Sequence, residues 1–204
     1  MRRLLSSVLL CGAKTIVITG VALAATPLVA QSAAAEKTAP KYPLDVAITY
    51  NATMSNSVTS KSFWMQGGSV QVHGQFYRGL GVVADIAGTH VGNINSSGVG
   101  LDMVTATFGP RYTWTTKSRK FALFGQALGG EGFGFHSVFP HVNGATASNY
   151  NLAVKAGGGL NVALTPRIAL RAIEADWLRT QLPNATTNVQ NNVILGAGVV
   201  MRFR

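Results

Sequence analysis

The chain has 204 residues, a formal net charge of +10 and only 12% charged residues against 47% hydrophobic ones. A basic balance first invites a nucleic-acid partner, but the basic residues are scattered through turns and alternating segments and no basic helix gathers them, which argues against that partner. The one cysteine, Cys11, lies in the first apolar segment, so the remainder of the chain has no thiol for metal or disulfide chemistry in an oxidising compartment.

Met1-Arg2-Arg3 and Lys14 make a basic start, Thr15 to Ala25 is an apolar run, and Pro27 and the small residues Ala30 to Ala35 follow. That order is the order of a secretory signal peptide. It predicts a signal over residues 1–35, cleaved between 30 and 35, with Ala33-Ala34-Ala35 the best small-x-small site. The run is too short for a membrane anchor, since a spanning helix takes roughly 20 apolar residues. Leu10 before Cys11 is too large for a lipoprotein site. Loss of Arg2, Arg3 and Lys14 with the signal leaves a charge of +7.

After a short polar lead over 36–42, the chain breaks into segments in which apolar and polar residues alternate, the period of a strand. Leu44 to Tyr50 sets Leu44, Val46 and Ile48 against Asp45, Ala47 and Thr49. Ser69 to Tyr77 sets Val70 and Val72 against Gln71 and His73. Leu80 to His90 carries Asp85. Asp102 to Trp114 sets Val104, Ala106 and Phe108 against Thr105, Thr107 and Arg111. Phe121 to about Gly130 is the fifth segment. In Asn149 to Ala163, Leu152, Val154, Leu160 and Val162 oppose Lys155, Gly157, Gly159 and Asn161. Arg167 to Thr180 is the seventh. The last ends the chain, with Val193, Leu195, Ala197, Val199, Met201 and Phe203 on one face. The other face is small and carries Arg202.

Connections alternate in length. Asn51–Gly68, Gly92–Leu101, Glu131–Ser148 and Gln181–Asn191 are long, whereas Arg78-Gly79, Thr115–Lys120 and Leu164-Thr165-Pro166 are short. Outer-membrane barrels have short periplasmic turns and longer outer loops. Aromatics gather at predicted strand ends. Phe76, Tyr77, Tyr112, Trp114, Phe121 and Phe203 fall at the short-turn edge, and Phe63, Trp64, Phe133, Phe135, Tyr150 and Trp177 at the other. Two such girdles suit membrane interfaces. The expected fold is all-β: an eight-stranded antiparallel up-and-down transmembrane β-barrel over residues 43–204, preceded by a cleaved signal peptide. The expected location is the bacterial outer membrane, with both termini in the periplasm. A separate periplasmic domain is not expected, because the chain stops at Arg204.

The passages Leu80-Gly-Val-Val-Ala-Asp85, Phe108-Gly-Pro-Arg-Tyr112, Gly157-Gly-Gly-Leu160, Ile168-Ala-Leu-Arg-Ala-Ile-Glu-Ala-Asp-Trp177 and Met201-Arg-Phe203 occur in that order. With them the chain resembles the small outer-membrane barrels related to the OmpA-type transmembrane domain, over essentially all of residues 43–204. The resemblance implies a lumen plugged by salt bridges, with Asp85 and Glu174 as the acids and Arg111 and Lys155 as the nearest bases. It also implies that barrel-assembly machinery reads the C-terminal strand at Val199, Met201 and Phe203, with periplasmic chaperones on the way. The peptidoglycan-binding domain attached to many such barrels is not expected here, so a cell-wall tether is not implied.

Alternation itself places Asp85, Arg111, Lys155 and Glu174 in the lumen, where charge must be paired or hydrogen-bonded. Arg171 is different. Strict alternation from Glu174 puts it on the lipid face, where it can snorkel to the nearby turn; a bulge would turn it inward. Both placements stand on sequence alone. His73, His90, His136 and His141 show no metal-ligand spacing. Gly129-Gly-Glu-Gly-Phe-Gly134 lacks the strand–helix setting of a phosphate loop. No cofactor is expected. The sequence supports a non-enzymatic barrel in contact with outer-membrane lipid, serving a structural or surface-interaction role, with no nucleic-acid partner and no readable surface ligand. The alternatives are a lipid-A-modifying enzyme recruiting His90, His136 and Ser137, and a narrow gated ion channel. A soluble lipocalin-like barrel needs an apolar interior, the opposite of this pattern.

Overall fold

The computed structural model describes residues 43–56, 62–141, 144–184 and 188–203. The expected signal over 1–35, the lead 36–42 and Arg204 lie outside the described residues. The strands are β1 (Leu44–Ser55), β2 (Phe63–Tyr77), β3 (Leu80–Val91), β4 (Leu101–Thr115), β5 (Phe121–Phe135), β6 (Phe139–His141), β7 (Gly144–Thr146), β8 (Asn149–Ala163), β9 (Ile168–Thr180) and β10 (Gln190–Phe203). Eight of them close a barrel in the order β1-β10-β9-β8-β5-β4-β3-β2, and β6 and β7 form a separate two-stranded hairpin. Every neighbouring pair is antiparallel. Leu44 pairs with Phe203, which closes the barrel at the rim carrying the short turns.

Alternation decides which side chain meets which medium. Ile48, Val70, Val82, Phe108, Leu170 and Val199 are among the apolar side chains exposed on the outer wall, while Thr49, Gln71, Asp85 and Thr107 are buried in the lumen. An uninterrupted apolar belt of this extent is far larger than the patches monomeric soluble proteins expose. The turn between β2 and β3 is built by Arg78 and Gly79, with φ of 33° and 92°. Positive φ at both central residues is what a two-residue type I′ hairpin turn requires.

Three features depart from the expectations above. The strands of the barrel run longer, 12 to 15 residues, whereas crossing a bilayer takes roughly 9–11. The expected loop Asn51–Gly68 is mostly strand, because Asn51, Thr53 and Ser55 continue the inward face of β1. The expected loop Glu131–Ser148 shortens too: β5 extends to Phe135, and β6–β7 fold within the remainder. Second, Phe63 is not part of an outer girdle. It points inward and is only 5% exposed, whereas Trp64, Phe135, Tyr150 and Trp177 do face out; Phe133 is half-buried and stacks on Tyr150 at 6.1 Å. Third, the register slips on β9. Asn161 pairs with Arg171 and Leu160 with Ile173, so Ala172 is the extra residue of a bulge. Ala172 and Ile173 both face outward, and parity before them is reversed.

Candidate functional site

The lumen is filled in layers. Nearest the long loops lies an apolar cap. Phe63 and Met65 of β2, Met103 of β4, Leu178 of β9 and Ile194 of β10 turn inward and pack with Ile94, Phe139 and Leu182 from the connections. All are buried. The strand length in excess of a bilayer crossing therefore encloses a small hydrophobic core.

Below the cap sits the ionised layer. Lys155 on β8 reaches across the lumen to β3, where its Nζ donates to Asp85 Oδ2 at 2.5 Å. Both residues are 1% exposed. Asp85 Oδ1 has no hydrogen-bond partner among the described residues.

The second cluster is shared. Arg171 Nη1 donates to Glu174 Oε2 at 2.9 Å and to Gln71 Oε1 at 2.5 Å, and its Nε donates to Asn161 Oδ1 at 3.1 Å. Arg111 donates through Nη2 to the same Gln71 Oε1 at 2.5 Å and through Nε to Gln126 Oε1 at 3.1 Å. Gln71 Nε2 donates to Glu174 Oε1 at 2.7 Å. Gln126 Nε2 donates to Glu174 Oε1 at 3.1 Å and to Asp176 Oδ1 at 3.1 Å. Both guanidiniums also lie over the ring of Phe124, at 4.4 Å for Arg111 and 4.6 Å for Arg171. A guanidinium over an aromatic face gains from the ring quadrupole, more so when desolvated. The bulge at Ala172 is what delivers Arg171 here; without it the side chain would face out. Glycines make the room. A Cβ on Gly157 would lie 2.2 Å from Asp176 Oδ1, and one on Gly159 2.8 Å from the Phe124 ring.

Of the residues singled out from sequence, Asp85 and Lys155 meet each other, Arg171 meets Glu174, and Arg111 reaches Glu174 only through Gln71 and Gln126. Sequence reasoning missed Asp176, Gln71, Gln126 and Phe124 as members. Asp176 shares parity with Glu174 and was readable. The glutamines were readable as inward but carry no charge to mark them as the link. Phe203, Met201 and Val199 lie on the outer face of β10 at the short-turn rim.

The histidines divide. His73 lies in the lumen with Nδ1 3.6 Å from Asp45. His90 and His136 approach one carboxylate at the long-loop end, His136 Nδ1 lying 2.5 Å from Asp102 Oδ2 and His90 Nδ1 against Oδ1. Among the described residues neither imidazole is hydrogen-bonded to a serine hydroxyl. His141 is exposed in β6.

No protein-family model matches the chain, and no curated protein matches it. Among solved structures it is similar to Ail, the attachment invasion locus protein of Yersinia pestis, at 18% identity and a TM-score of 0.55, over 79% of this chain and 98% of that one. It is similar to Ail in complex with the heparin analogue sucrose octasulfate at 19% identity and a TM-score of 0.54, over 79% and 99%. Neisserial surface protein A (NspA) matches at 14% identity and a TM-score of 0.57, over 80% and 97%. The chain thus carries the fold of small eight-stranded outer-membrane barrels and resembles Ail and NspA.

Proposed function

We propose that this protein is an integral outer-membrane barrel with a structural or surface-interaction role, non-enzymatic, its lumen closed by the charged layer and the apolar cap. The long loops face outward, and the short turns and both termini lie in the periplasm. The observation that carries this reading is the combination of an apolar outer wall with a lumen that is filled throughout its middle. Eight-stranded barrels have interiors just wide enough for side chains to fill. Such a molecule offers its surroundings an outer wall for lipid and a loop surface for partners, with no through-path.

Cell fractionation with a heat-modifiability gel tests the first half. A detergent-extracted band that shifts on boiling is expected, and a soluble, non-shifting protein would overturn the reading. Planar-bilayer recording tests the second half, with no stepwise conductance expected from the wild-type barrel.

The C-terminal strand carries a further expectation. Phe203 is half-exposed at the rim where β10 meets β1, a position suited both to the interface and to recognition during assembly. Phe203→Ala is expected to lower the heat-modifiable barrel recovered from membranes by roughly half or more. Wild-type recovery would remove Phe203 from the assembly signal.

A further inference from the structure

The short-turn end of the lumen is not filled. A cavity of about 430 Å³ opens there and reaches inward to the two guanidiniums of the shared cluster. Its walls carry Arg111, Arg171, Arg119, Arg202 and His73, and the one carboxylate among them is Asp45. Glu174, Asp176 and Asp85 do not line it; they lie behind the guanidiniums, toward the cap.

The inner end is built and incompletely satisfied. Arg111 and Arg171 are 3% and 1% exposed, and they converge on one neutral acceptor, Gln71 Oε1, at 2.5 Å each. Their protein hydrogen bonds use Nε and Nη2 of Arg111 and Nε and Nη1 of Arg171. Arg111 Nη1 and Arg171 Nη2 have no hydrogen-bond partner among the described residues. An anion in the cavity would supply the missing acceptors to both guanidiniums. At the mouth, Arg119 is held in a turn with φ of 55°, and Arg202 projects inward from the end of β10.

We propose that this vestibule binds a multivalent oxyanion of the phosphate class, gripped by Arg111 and Arg171 at its inner end and by Arg119 and Arg202 at its mouth. The volume lies in the range of small-ligand pockets, roughly 300–1,000 Å³, and guanidinium forks match phosphate geometry. The same chemistry comes from two sources: a free phosphate or phosphorylated small molecule, or the phosphate of an anionic phospholipid headgroup folded over the rim.

The test uses the barrel in phosphatidylcholine nanodiscs, titrated calorimetrically with inorganic phosphate and with pyrophosphate. Saturable binding is expected, tighter for pyrophosphate, and weakened as salt rises from ~50 mM to ~500 mM. Arg119→Gln with Arg202→Gln spares the buried cluster, and its heat-modifiability shift confirms folding. It is expected to weaken binding at least tenfold. Arg78→Gln with Lys117→Gln removes charge from the same end without touching the cavity and is expected to leave binding unchanged. In discs containing phosphatidylglycerol, ³¹P NMR separates the sources. Immobilised headgroups that are freed by the Arg119/Arg202 variant identify lipid, and undiminished pyrophosphate binding beside mobile headgroups identifies the free anion. The proposal is overturned if neither anion binds below roughly 10 mM and no headgroup is immobilised. It is equally overturned if the Arg78/Lys117 variant loses as much as the Arg119/Arg202 variant.

Discussion

Asp85→Ala is expected to cost the barrel about 3–5 kcal/mol, the range for removing one partner of a buried ion pair. Lys155 is 1% exposed, and among the described residues its one hydrogen-bond acceptor is Asp85 Oδ2, at 2.5 Å. Alanine leaves the ammonium in the lumen without its hydrogen-bond acceptor, and the acids of the adjacent β9, Glu174 and Asp176, are already hydrogen-bonded by Arg171 and Gln126. Asp85→Leu combined with Lys155→Met is expected to recover most of the loss, since apolar residues of similar volume often replace a buried pair at little cost. Urea unfolding in lipid, followed by the gel shift, measures both. A single-variant loss no greater than ~1 kcal/mol, as for an exposed pair, would show that water reaches the pair. A double variant as unstable as the single would show that the residues matter for shape and not for charge.

The second large effect concerns Gly157-Gly158-Gly159. A Cβ on Gly159 would lie 2.4 Å from the Ile173 carbonyl oxygen and 2.8 Å from the Phe124 ring, and one on Gly157 would lie 2.2 Å from the Ala175 carbonyl oxygen. Two of those obstacles are backbone of β9, which cannot step aside while the strands stay paired. The third is the ring beneath two guanidiniums, so moving it disturbs Arg111 and Arg171 together. Gly159→Ala is expected to cost about 1–3 kcal/mol by overpacking, and Gly159→Val to leave little heat-modifiable barrel. Gly129→Ala serves as the control, because a Cβ there meets nothing within 4 Å. Equal tolerance at positions 129 and 159 would count against a tight approach of β8 and β9.

Asp85, Arg111, Lys155 and Glu174 were readable because parity is a local property: each lies an even number of steps from inward residues of its own strand. Arg171 was not, because the bulge at Ala172 leaves no mark in a run of ordinary strand formers. The neutral members of the cluster were readable as inward but not as essential, since it takes the geometry to show that Gln71 Oε1 serves two guanidiniums. The apolar cap was hidden for another reason. In Trp177-Leu178 and Val193-Ile194-Leu195 both faces are apolar, so alternation loses its contrast where the lumen itself turns apolar. Phe63 was misplaced by the same ambiguity. The Gly157–Gly159 run was visible as a motif, yet its cause, the close approach of β9 and the Phe124 ring, belongs to the packing.

The stacking of an apolar cap above an ionised layer places two seals in series, like two resistors on one wire. Current through such a path is set by the larger resistance, so breaching either layer alone is expected to leave the path closed. With the lumen closed as proposed, a lesion in the Asp85–Lys155 pair is expected to cost stability without opening a conductance, and so is a cavity opened among Met65, Met103 and Leu178. A conductance is expected only when both layers are breached in one molecule. A pore engineered on this scaffold is therefore expected to need two coordinated sets of substitutions, one in each layer.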